Sequence, residues 1–388
     1  MKNINQIFLL FIFILLCNSC VEEFEFSEQS FEDILVVESE ITNELKFQEI
    51  LISRTFRLED KEPAPENNAI VTVIDDQQIE YQFSEITSGR YVSNVSFAAE
   101  LGKTYRLQIT TQNGNLYTSS EVSLPQQAQL DNVFAERVVN DSGVEGIGIF
   151  VDSSDPTGNA DFYRYEFDET YQVVPPFWSE FDLEIVSREP PVLEIIPRSR
   201  EERVCYINEV SNRIILNNTS TLSENNINRF MVQFIEPDNV VVRGRYSVLV
   251  RQYVQSEEAF RFFETIKDFS DSETLFSQVQ PGFVNGNIVS MNNPEESVLG
   301  FFEVASVTSG RTFVNLEDFF PEVTRPEFQE ECSIVSISGD QRSVIRRIDE
   351  GYRFFAFDPV NSEYSLTMPI CTDCNVLGTN IRPDFWED

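Results

Sequence analysis

The distribution of apolar and polar positions predicts a chain built mainly of β-strands. Short apolar runs bounded by polar residues begin at Ile34, and residues 79–83 (IEYQF) alternate apolar and polar side chains. That period of two is typical of a strand with one buried face. Turn signals separate the runs at residues 63–68, 88–91 and 113–114. About seven strands without a helix therefore predict an immunoglobulin-like β-sandwich at residues 34–125.

Residues 126–388 predict a second, larger antiparallel β domain. Its strands are longer: Tyr163, Tyr165 and Phe167 alternate with Arg164 and Glu166, which indicates a strand with one buried face. Two insertions rich in polar residues or proline interrupt the strands at residues 170–200 and 217–228. No period of about 20–50 residues repeats, which argues against a solenoid or a propeller.

One amphipathic helix is expected within this second domain, at residues 256–269. Ser256 is a suitable N-cap, and acidic residues in the first turn suit the positive end of the helix dipole. Five apolar side chains share one stripe at helical spacing: Ala259, Phe262, Phe263, Ile266 and Phe269. We expect that stripe to pack against the core, with a partner surface as the alternative.

The first 19 residues have the pattern of a lipoprotein signal peptide. Lys2 precedes an apolar run at residues 7–16, which is too short to span a bilayer, and Ser19 precedes Cys20. A small residue before the cysteine fits lipoprotein processing, so Cys20 is the predicted lipidation site; bulky Leu16 makes Cys17 the weaker choice. Residues 20–33 are acidic, carry several phenylalanines and are interpreted as a tether.

Composition narrows the classes of function. The 388 residues contain 28 Lys plus Arg against 65 Asp plus Glu, a formal net charge of −37, so nucleic acid is a poor partner. The chain has no histidine, which excludes Ser-His-Asp catalysis, a His general base and His-ligated zinc. Two carboxylates alone can hydrolyse a glycosidic bond, but no pair stands out. We therefore expect no enzyme and no cofactor.

Four cysteines remain if Cys20 is lipidated and Cys17 is removed with the signal peptide. An even number in an exported chain favours two disulfides among Cys205, Cys332, Cys371 and Cys374, with the pairing open. The CxxC spacing of the last two also fits half of a zinc site or a redox motif. The redox alternative lacks a helix start and a thioredoxin-like βαβ context. Structural disulfides are the preferred hypothesis, and no metal site is predicted.

Two further segments are candidates for binding. Residues 152–161 (DSSDPTGNAD) are rich in oxygen atoms, but they miss the EF-hand spacing, so a tight turn is favoured over a calcium loop. The insertion at residues 170–200 carries Tyr171, Phe177, Trp178 and Phe181. Aromatic residues on a long loop are candidates for contact with a partner or ligand; ordinary packing within the loop is the alternative.

Several short segments, in this order, resemble one family, the domain of unknown function 4249 lipoproteins of Bacteroidota. The segments are residues 88–91 (SGRY), 101–107 (LGKTYRL), 113–114 (NG), 155–156 (DP), 163–165 (YRY), 286–288 (GNI), 299–302 (LGFF), 371–374 (CTDC) with Gly378, and 382–386 (RPDFW). The family offers no established activity and no catalytic residues to carry over. The acidic residues after Cys20 are similar to the signal that sends such lipoproteins to the outer face of the outer membrane.

The resemblance implies an accessory surface lipoprotein that accompanies TonB-dependent outer-membrane barrels. The leading hypothesis is a non-enzymatic lipoprotein, anchored in the outer membrane through Cys20 and facing the cell exterior. Its partner would be an outer-membrane β-barrel protein, either a TonB-dependent transporter or machinery that assembles or exports surface proteins. The alternatives are a glycan-binding or adhesive module and, less favoured, a carboxylate-only glycoside hydrolase.

Overall fold

The computed structural model describes residues 33–56, 60, 62–222, 224–271, 284, 286–328 and 332–387. The strands before residue 125 are β1 (Leu35–Thr42), β2 (Glu49–Arg54), β3 (Ala64–Pro65), β4 (Ile70–Asp75), β5 (Glu80–Thr87), β6 (Arg90–Ser93), β7 (Thr104–Thr110), β8 (Leu116–Ser119) and β9 (Val122–Ser123). The middle of the chain forms β10 (Gln129–Val139), β11 (Glu145–Ser154), β12 (Phe162–Val173), β13 (Phe181–Arg188), β14 (Pro191–Pro197), β15 (Cys205–Val210), β16 (Ile215–Asn218), β17 (Asn226–Ile235) and β18 (Tyr246–Val254).

The C-terminal part contributes the remaining elements. Its strands are β19 (Ile288–Ser290), β20 (Val298–Val314), β21 (Val335–Ser338), β22 (Arg353–Asp358) and β23 (Glu363–Thr367). The helices of the described residues are α1 (Glu257–Asp271), α2 (Leu316–Phe319) and α3 (Gln341–Asp349), with short 3-10 turns at Val240–Val242, Pro369–Cys371 and Cys374–Val376. The predicted mainly β fold with an amphipathic helix is confirmed.

The N-terminal strands form one curled sheet around a single core. Their order is β1-β2-β6-β5-β4-β7-β8, and strands from far along the chain continue it at both ends: β20 beside β1, and β19 beside β8. Inward-facing side chains such as Val37, Tyr91 and Leu107 are buried in this core. The curled sheet therefore has the layout of a sandwich, but it is completed by residues 288–305, which the predicted boundary at residue 125 did not include.

Strand β20 runs through both halves of the molecule. Its first half, Val298 to Ala305, pairs in parallel with β1, and its second half, Ser306 to Val314, pairs in antiparallel with β18. A single continuous strand thus belongs to the N-terminal sheet at one end and to the following sandwich at the other. Because β1 is parallel to β20, the chain enters the N-terminal sheet at the end remote from the second sandwich.

The second sandwich packs two sheets face to face. One sheet contains β12, β18 and the second half of β20, with β15 and β16 both pairing with β12, and the other has the order β10-β11-β17. Tyr163, Tyr165 and Phe167 project from β12 into the space between the sheets and are buried there with Ile149 and Val250. The predicted burial of the β12 face that carries Tyr163, Tyr165 and Phe167 is therefore confirmed.

The remaining elements form a small C-terminal unit with a core of its own. Strands β13 and β14 make a hairpin, which is an insertion between β12 and β15, and β21-β23-β22 form a separate sheet. Leu183 and Leu193 of the hairpin pack with Val344 of α3 and with Phe354 and Leu366 of the small sheet. The hairpin is thus supported on one face by residues more than a hundred positions further along the chain.

Helix α1 begins and packs close to the prediction. The Ala259 amide donates to Ser256 Oγ at 3.1 Å, which is the expected N-cap bond. Ala259 is buried, the rings of Phe262 and Phe301 lie 5.4 Å apart, and the Phe263 ring lies 4.8 Å from the guanidinium of Arg164, so most of the stripe faces protein. Phe269, at the far end, is 40% exposed.

Candidate functional site

Arg164 lies buried at the place where the two sandwiches meet. Its guanidinium contacts Glu40 of β1, Glu166 of its own strand and, at 3.4 Å, Glu303 of β20. Only 7% of the Arg164 side chain is exposed. We call these four residues the junction cluster. Glu40 comes from the N-terminal sheet, Glu166 from the second sandwich, and Glu303 from β20, which belongs to both.

Strand register brings the carboxylates together. Glu40 lies directly opposite Glu303 on β20 and directly opposite Glu49 on β2, so three glutamates form a row on the outer face of the N-terminal sheet. Paired residues of neighbouring strands share a face, and like charges directly opposite one another are destabilising. Arg164 covers one end of this row, and Arg90 binds Glu49 in a bidentate contact at 2.5 Å for both bonds.

Aromatic and amide side chains complete the surroundings of Arg164. Its guanidinium lies 4.2 Å from the ring centroid of Tyr253 and 4.8 Å from that of Phe263 in α1, distances suited to cation–π contact. Gln255 donates to Glu303 at 2.5 Å, and the Tyr253 hydroxyl donates to Glu166 at 3.0 Å. Helix α1 therefore covers the cluster as well as the apolar surface beside it.

The charges of the junction cluster shift one another's pKa values. Burial raises the pKa of Glu40 to about 7; Arg164 opposes this rise, and the neighbouring charges of Glu303 and Glu166 add to it. Burial also raises the pKa of Glu303, again against the effect of Arg164. Burial by itself would lower the pKa of Arg164, but the three carboxylates raise it above its usual value. The arginine is therefore a permanent cation, and both Glu40 and Glu303 keep a proton to a higher pH than an ordinary carboxyl group.

The junction cluster is a set of buried ion pairs that links the two sandwiches. The guanidinium occupies the position between the carboxylates, and no group of three or more acidic or cysteine side chains is arranged to hold a metal ion within the described ranges. Breaking a buried ion pair by removal of one partner is costly, because an uncompensated charge remains. The cluster thus restricts how the two sandwiches sit against each other.

The sequence pattern did not identify the junction cluster. The pattern predicted one buried face for β12, whereas at Arg164 both faces of the strand are covered. Residue Arg164 as a whole is only 6% exposed. The missing information is tertiary: Arg164 meets Glu40 across 124 positions of sequence and Glu303 across 139. No spacing rule connects residues so far apart.

The four aromatic residues predicted as a contact surface have different surroundings. Tyr171 is a buried strand residue of β12, and its hydroxyl donates to Glu209 at 2.9 Å. Phe177 packs on Phe355, with ring centroids 5.0 Å apart, and Trp178 lies under the guanidinium of Arg203 at 5.1 Å. Phe181, at the start of β13, is 48% exposed.

The assignment of Tyr171 to an exposed insertion is therefore wrong. Strand β12 continues through polar residues 168–170 to Val173, so the inward-facing alternation that begins at Tyr163 still holds at Tyr171. Its neighbour Glu169 also faces the inside of the second sandwich, where Gln233 donates to it at 3.1 Å. Burial raises the pKa of Glu169, and the nearby Arg213 acts in the opposite direction.

The four candidate cysteines form two disulfides. Cys205 is bonded to Cys374, and Cys332 to Cys371. The two members of the CxxC segment therefore bind different partners, and they tie the C-terminal residues to β15 and to the segment before β21. The preferred hypothesis of structural disulfides is confirmed, and the zinc and redox alternatives would need these cysteines as thiolates.

Residues 152–154 end strand β11, and the residues from Asp155 to Ala160 form the tight turn that was favoured over a calcium loop. The carboxylate of Asp155 accepts hydrogen bonds from the amides of Thr157, Asn159 and Ala160 at 2.7–2.9 Å. These bonds and the Thr157 hydroxyl keep the pKa of Asp155 below its usual value, although burial acts against them. The carboxylate is thus engaged by its own turn.

The predicted signal peptide at residues 1–19, the lipidation site Cys20 and residues 20–32 of the tether lie outside the described residues. Asp33, the last residue of the predicted tether, is exposed and directly precedes the N-terminal sheet. Among the helices that the structure describes, none has the length and apolar character needed to cross a bilayer.

Comparison with known proteins gives one family and no curated relative. The family described as "domain of unknown function (DUF4249)" matches residues 21–311, which confirms the predicted family. The matched range includes the motifs up to residues 299–302 and does not include those at residues 371–386. No curated protein matches the chain. Among solved structures, the chain is similar to that of a DUF4785 family protein from Legionella pneumophila subsp. pneumophila str. Philadelphia 1. It has 11% sequence identity and a TM-score of 0.18, and the match covers 56% of this chain and 51% of that one. The matched region is therefore about half of each protein, and at this TM-score the likeness carries no argument.

Proposed function

The chain belongs to the domain of unknown function 4249 family, and on that premise we propose that it is a non-enzymatic, surface-exposed lipoprotein of the outer membrane. Cys20 carries the lipid, and the folded part serves as an accessory subunit of an outer-membrane β-barrel complex. That complex is a TonB-dependent transporter or a machine that assembles or exports surface proteins.

The observation that carries the proposal is that the described chain enters the N-terminal sheet at the end remote from the second sandwich. Residue Asp33 leads into β1, whose eight residues run toward the junction cluster and span about 25 Å at the usual rise of a strand. A lipid attached ahead of Asp33 would therefore hold the far end of the N-terminal sheet. The second sandwich would be carried away from the bilayer, and the N-terminal sheet would act as a spacer.

The cross-links of the C-terminal unit fit a chain exported to an oxidising compartment. Disulfides persist in secreted and surface proteins and are rare in the cytosol. The two bridges span 169 and 39 residues of sequence, and both hold the unit that supports the β13–β14 hairpin. An insertion held in this way is preorganised, which lowers the entropy lost on binding a partner.

The glycan-binding alternative loses support from the placement of its aromatic residues. Stacking on a sugar requires an accessible ring face, whereas Tyr171 is buried and Phe177 and Trp178 are each covered by a neighbouring side chain. Phe181 is the accessible member of the four. A contact with a protein through the β13–β14 hairpin does not require exposed aromatic rings.

The test is co-purification from detergent-solubilised outer membranes of cells that produce the native chain. We expect a single barrel protein to be recovered in stoichiometric amounts with the wild type, and mass spectrometry to find a lipid on Cys20. The variant Cys20→Ser should lose both the lipid and the barrel, whereas the matched variant Cys17→Ser should keep both. Recovery of the lipidated chain without any barrel would refute the proposal.

A further inference from the structure

The half of the N-terminal sheet formed by β5, β4, β7, β8 and β19 has an outer face with an uncharged area. One row of directly opposed residues crosses all five strands on that face: Gln82, Thr72, Gln108, Thr118 and Val289. None of these side chains is charged, although the protein has a formal net charge of −37. The outer face of the other half of the sheet differs, since Glu40, Glu49 and Glu303 form a row there.

The neighbouring row, at the ends of the same strands, is more apolar. Ile70, Thr110 and Leu116 lie opposite one another, and the Met291 amide donates to the Leu116 carbonyl at 2.8 Å. Ile70 is 69% exposed and Met291 57% exposed. Ile86, where the pairing of β5 with β6 shifts its register, is 53% exposed. We call Ile70, Ile86, Leu116 and Met291 the apolar rim.

Polarity therefore rises in steps from the ends of these strands inward. The apolar rim comes first and the uncharged polar row second, and charges begin in the third row, where Glu80 and Arg106 lie on either side of Ile74. The rows are about 7 Å apart, because a strand rises about 3.4 Å per residue. A surface element that rests on a bilayer needs this order, since its apolar part enters the boundary between headgroups and acyl chains by about 5–10 Å.

Exposed apolar residues at the opposite end of the sheet are interleaved with charges. Leu45 and Phe47 are 76% and 60% exposed, but they flank Lys46, whose ammonium group binds Glu44 at 2.8 Å. Single apolar residues among charged ones are ordinary on a protein surface. The stepwise order thus distinguishes the apolar rim from these residues.

The apolar rim lies at the end of the sheet where the chain enters. The turn that follows Ile86 lies beside β2, because the Ile52 amide donates to the Gly89 carbonyl at 2.8 Å. The end of β2 in turn lies beside the start of β1, where the Thr55 amide donates to the Ile34 carbonyl at 2.9 Å. The rim and the chain entry therefore share one end of the sheet.

The predicted anchor would keep this end close to lipid. Cys20 and Asp33 are about a dozen residues apart, and such a segment spans at most about 45 Å. A second contact close to an anchored point is intramolecular and has a high effective concentration. A small apolar area is then sufficient for a lasting contact.

We propose that the apolar rim rests in the lipid leaflet that carries the anchor at Cys20, so that the chain contacts the membrane at two places. This inference rests on the proposed function and adds the orientation of the N-terminal sheet to it. The rim enters the boundary between headgroups and acyl chains, the uncharged row lies among the headgroups, and Glu80 and Arg106 remain in water. The leaflet is zwitterionic at the contact, because anionic lipid repels a protein with a large negative net charge.

The carboxylates at this end of the sheet are compatible with such a leaflet. Glu66 binds Arg54 at 2.6 Å, and Glu296 accepts a hydrogen bond from the Tyr117 hydroxyl at 2.6 Å. Glu295, in the loop after the last residue of the rim, is exposed. The ammonium group of phosphatidylethanolamine offers such an exposed carboxylate a partner of opposite charge.

The test is electron paramagnetic resonance of the full-length, lipidated chain in vesicles of phosphatidylethanolamine and phosphatidylcholine that contain no other protein. A spin label is attached to Ile86→Cys, and Glu80→Cys, at the other end of β5 on the same face, is the matched control. Both positions are exposed, so neither substitution disturbs the core. Each label's access to oxygen, which is enriched in the acyl region, is compared with its access to a water-soluble nickel complex.

We expect the ratio of oxygen access to nickel access to be about tenfold higher at Ile86→Cys than at Glu80→Cys, since a group held about 5–10 Å deep has left the water. Adding Ile70→Ser and Met291→Ser should lower the ratio at Ile86→Cys toward the control value. Replacing part of the lipid with anionic phosphatidylglycerol should lower it as well.

The matched pair Ile79→Ser with Leu101→Ser changes two exposed apolar residues at the opposite end of the sheet, which are 46% and 55% exposed, and should leave the ratio unchanged. Equal ratios at the two label positions of the lipidated chain would overturn this inference and leave the proposed function intact. An unmodified Cys20 in mass spectrometry would refute both. A label at Ile86→Cys that is in water in the vesicles but reached by neither reagent in native outer membranes would assign the rim to a protein partner and also overturn the inference.

Discussion

The side chain of Asn287 takes the place of a strand backbone where the N-terminal sheet closes on Phe302. Asn287 Oδ1 accepts the Phe302 amide at 2.7 Å, and its Nδ2 donates to the Phe302 carbonyl at 2.9 Å. Two antiparallel residues would exchange the same pair of bonds. One amide side chain thus joins the segment that carries β19 to β20, and it lies in the GNI motif that the family resemblance singled out.

Asn287→Ala should destabilise the fold by about 2–3 kcal/mol, because it leaves the amide and carbonyl of a core strand without partners. The measurement is urea unfolding, with a lower midpoint and an unchanged m-value. Asn94, which accepts a bond from Ser84 on the exposed surface, offers a control. Asn94→Ala should change the stability by less than about 0.5 kcal/mol. Equal effects of the two substitutions would show that Asn287 does not close the sheet.

Gly300 allows β20 to lie close to β1 at the same edge of the N-terminal sheet. Its φ is +122°, and a Cβ there would lie 1.9 Å from the Val37 carbonyl oxygen of β1. Gly300→Ala should therefore cost more than about 3 kcal/mol, since strand β1 or β20 must move. Gly102 has a φ of +84° but no heavy atom within 4 Å of a Cβ position, so Gly102→Ala tests the backbone term alone. We expect about 1 kcal/mol for it in the same urea assay. A small loss at Gly300 would contradict the close approach.

Local pattern predicted the elements of this fold better than their pairing. The cap at Ser256 and the stripe from Ala259 identified α1 to within two residues at each end, because both signals lie inside the helix. The mostly apolar run at residues 298–307 covers only the first part of β20, which continues to Val314 through the polar residues Thr308 and Ser309. Its partner β18 determines that continuation.

Long-range partners were beyond the reach of the sequence. The even number of cysteines indicated two disulfides, but nothing in the spacing separates the three possible pairings. Similarly, β1 pairs with residues more than 250 positions away, and Arg164 is identified as a buried cation only once Glu40 and Glu303 are in place. Tyr171 could have been predicted, since the odd-numbered alternation of β12 includes it.

The junction cluster predicts how stability depends on pH. The pKa of Glu40 rises from 4.5 to about 7 on folding, so the native chain keeps a proton that the unfolded chain has lost between these values. The stabilisation is fully present below pH 4.5 and is lost as the pH rises through 7. The charged groups that act on Glu40 are Arg164, Glu303, Glu166 and Lys46. We expect this group to lower the free energy of unfolding by about 2 kcal/mol between pH 5 and pH 8.

The measurement is urea unfolding at pH 5, 6, 7 and 8 for the wild type and Glu40→Gln. Glutamine keeps the shape and cannot ionise, so the difference between the two proteins should change with pH in the sense given above. Glu80→Gln, at an exposed position of β5, serves as the control and should run parallel to the wild type. A constant difference between wild type and Glu40→Gln would show that Glu40 has its ordinary pKa.

The two disulfides should contribute unequally. Cys205–Cys374 closes a loop of 169 residues and Cys332–Cys371 one of 39. In the chain-entropy account, the cost of removal grows with the logarithm of loop length, which gives about 5 and about 4 kcal/mol. Replacing each pair with alanines should therefore lower the unfolding midpoint more for Cys205 and Cys374. The opposite order would mean that native-state contacts, and not the unfolded chain, dominate the contribution of these bridges.

The last residues anchor the end of the chain to the second sandwich, and one side chain should account for most of that anchoring. Trp386 is 5% exposed and packs edge-on against Tyr206 of β15 and Phe313 of β20, with ring centroids 4.9 and 5.7 Å apart. Its neighbour Phe385 is 38% exposed, and its ring centroid lies 3.5 Å from the guanidinium carbon of Arg311.

Trp386→Ala should cost about 3 kcal/mol, since it empties a buried aromatic site. Phe385→Ala should cost about 1 kcal/mol, since its cation–π contact is partly exposed. Urea unfolding compares the two, and limited proteolysis should cleave the tail after Cys374 faster in the Trp386 variant. If both variants lost equal stability, the tail would be held by its whole length, including the exchange of backbone bonds between Thr379 and Tyr206 at 2.8 and 3.1 Å, and not by the tryptophan.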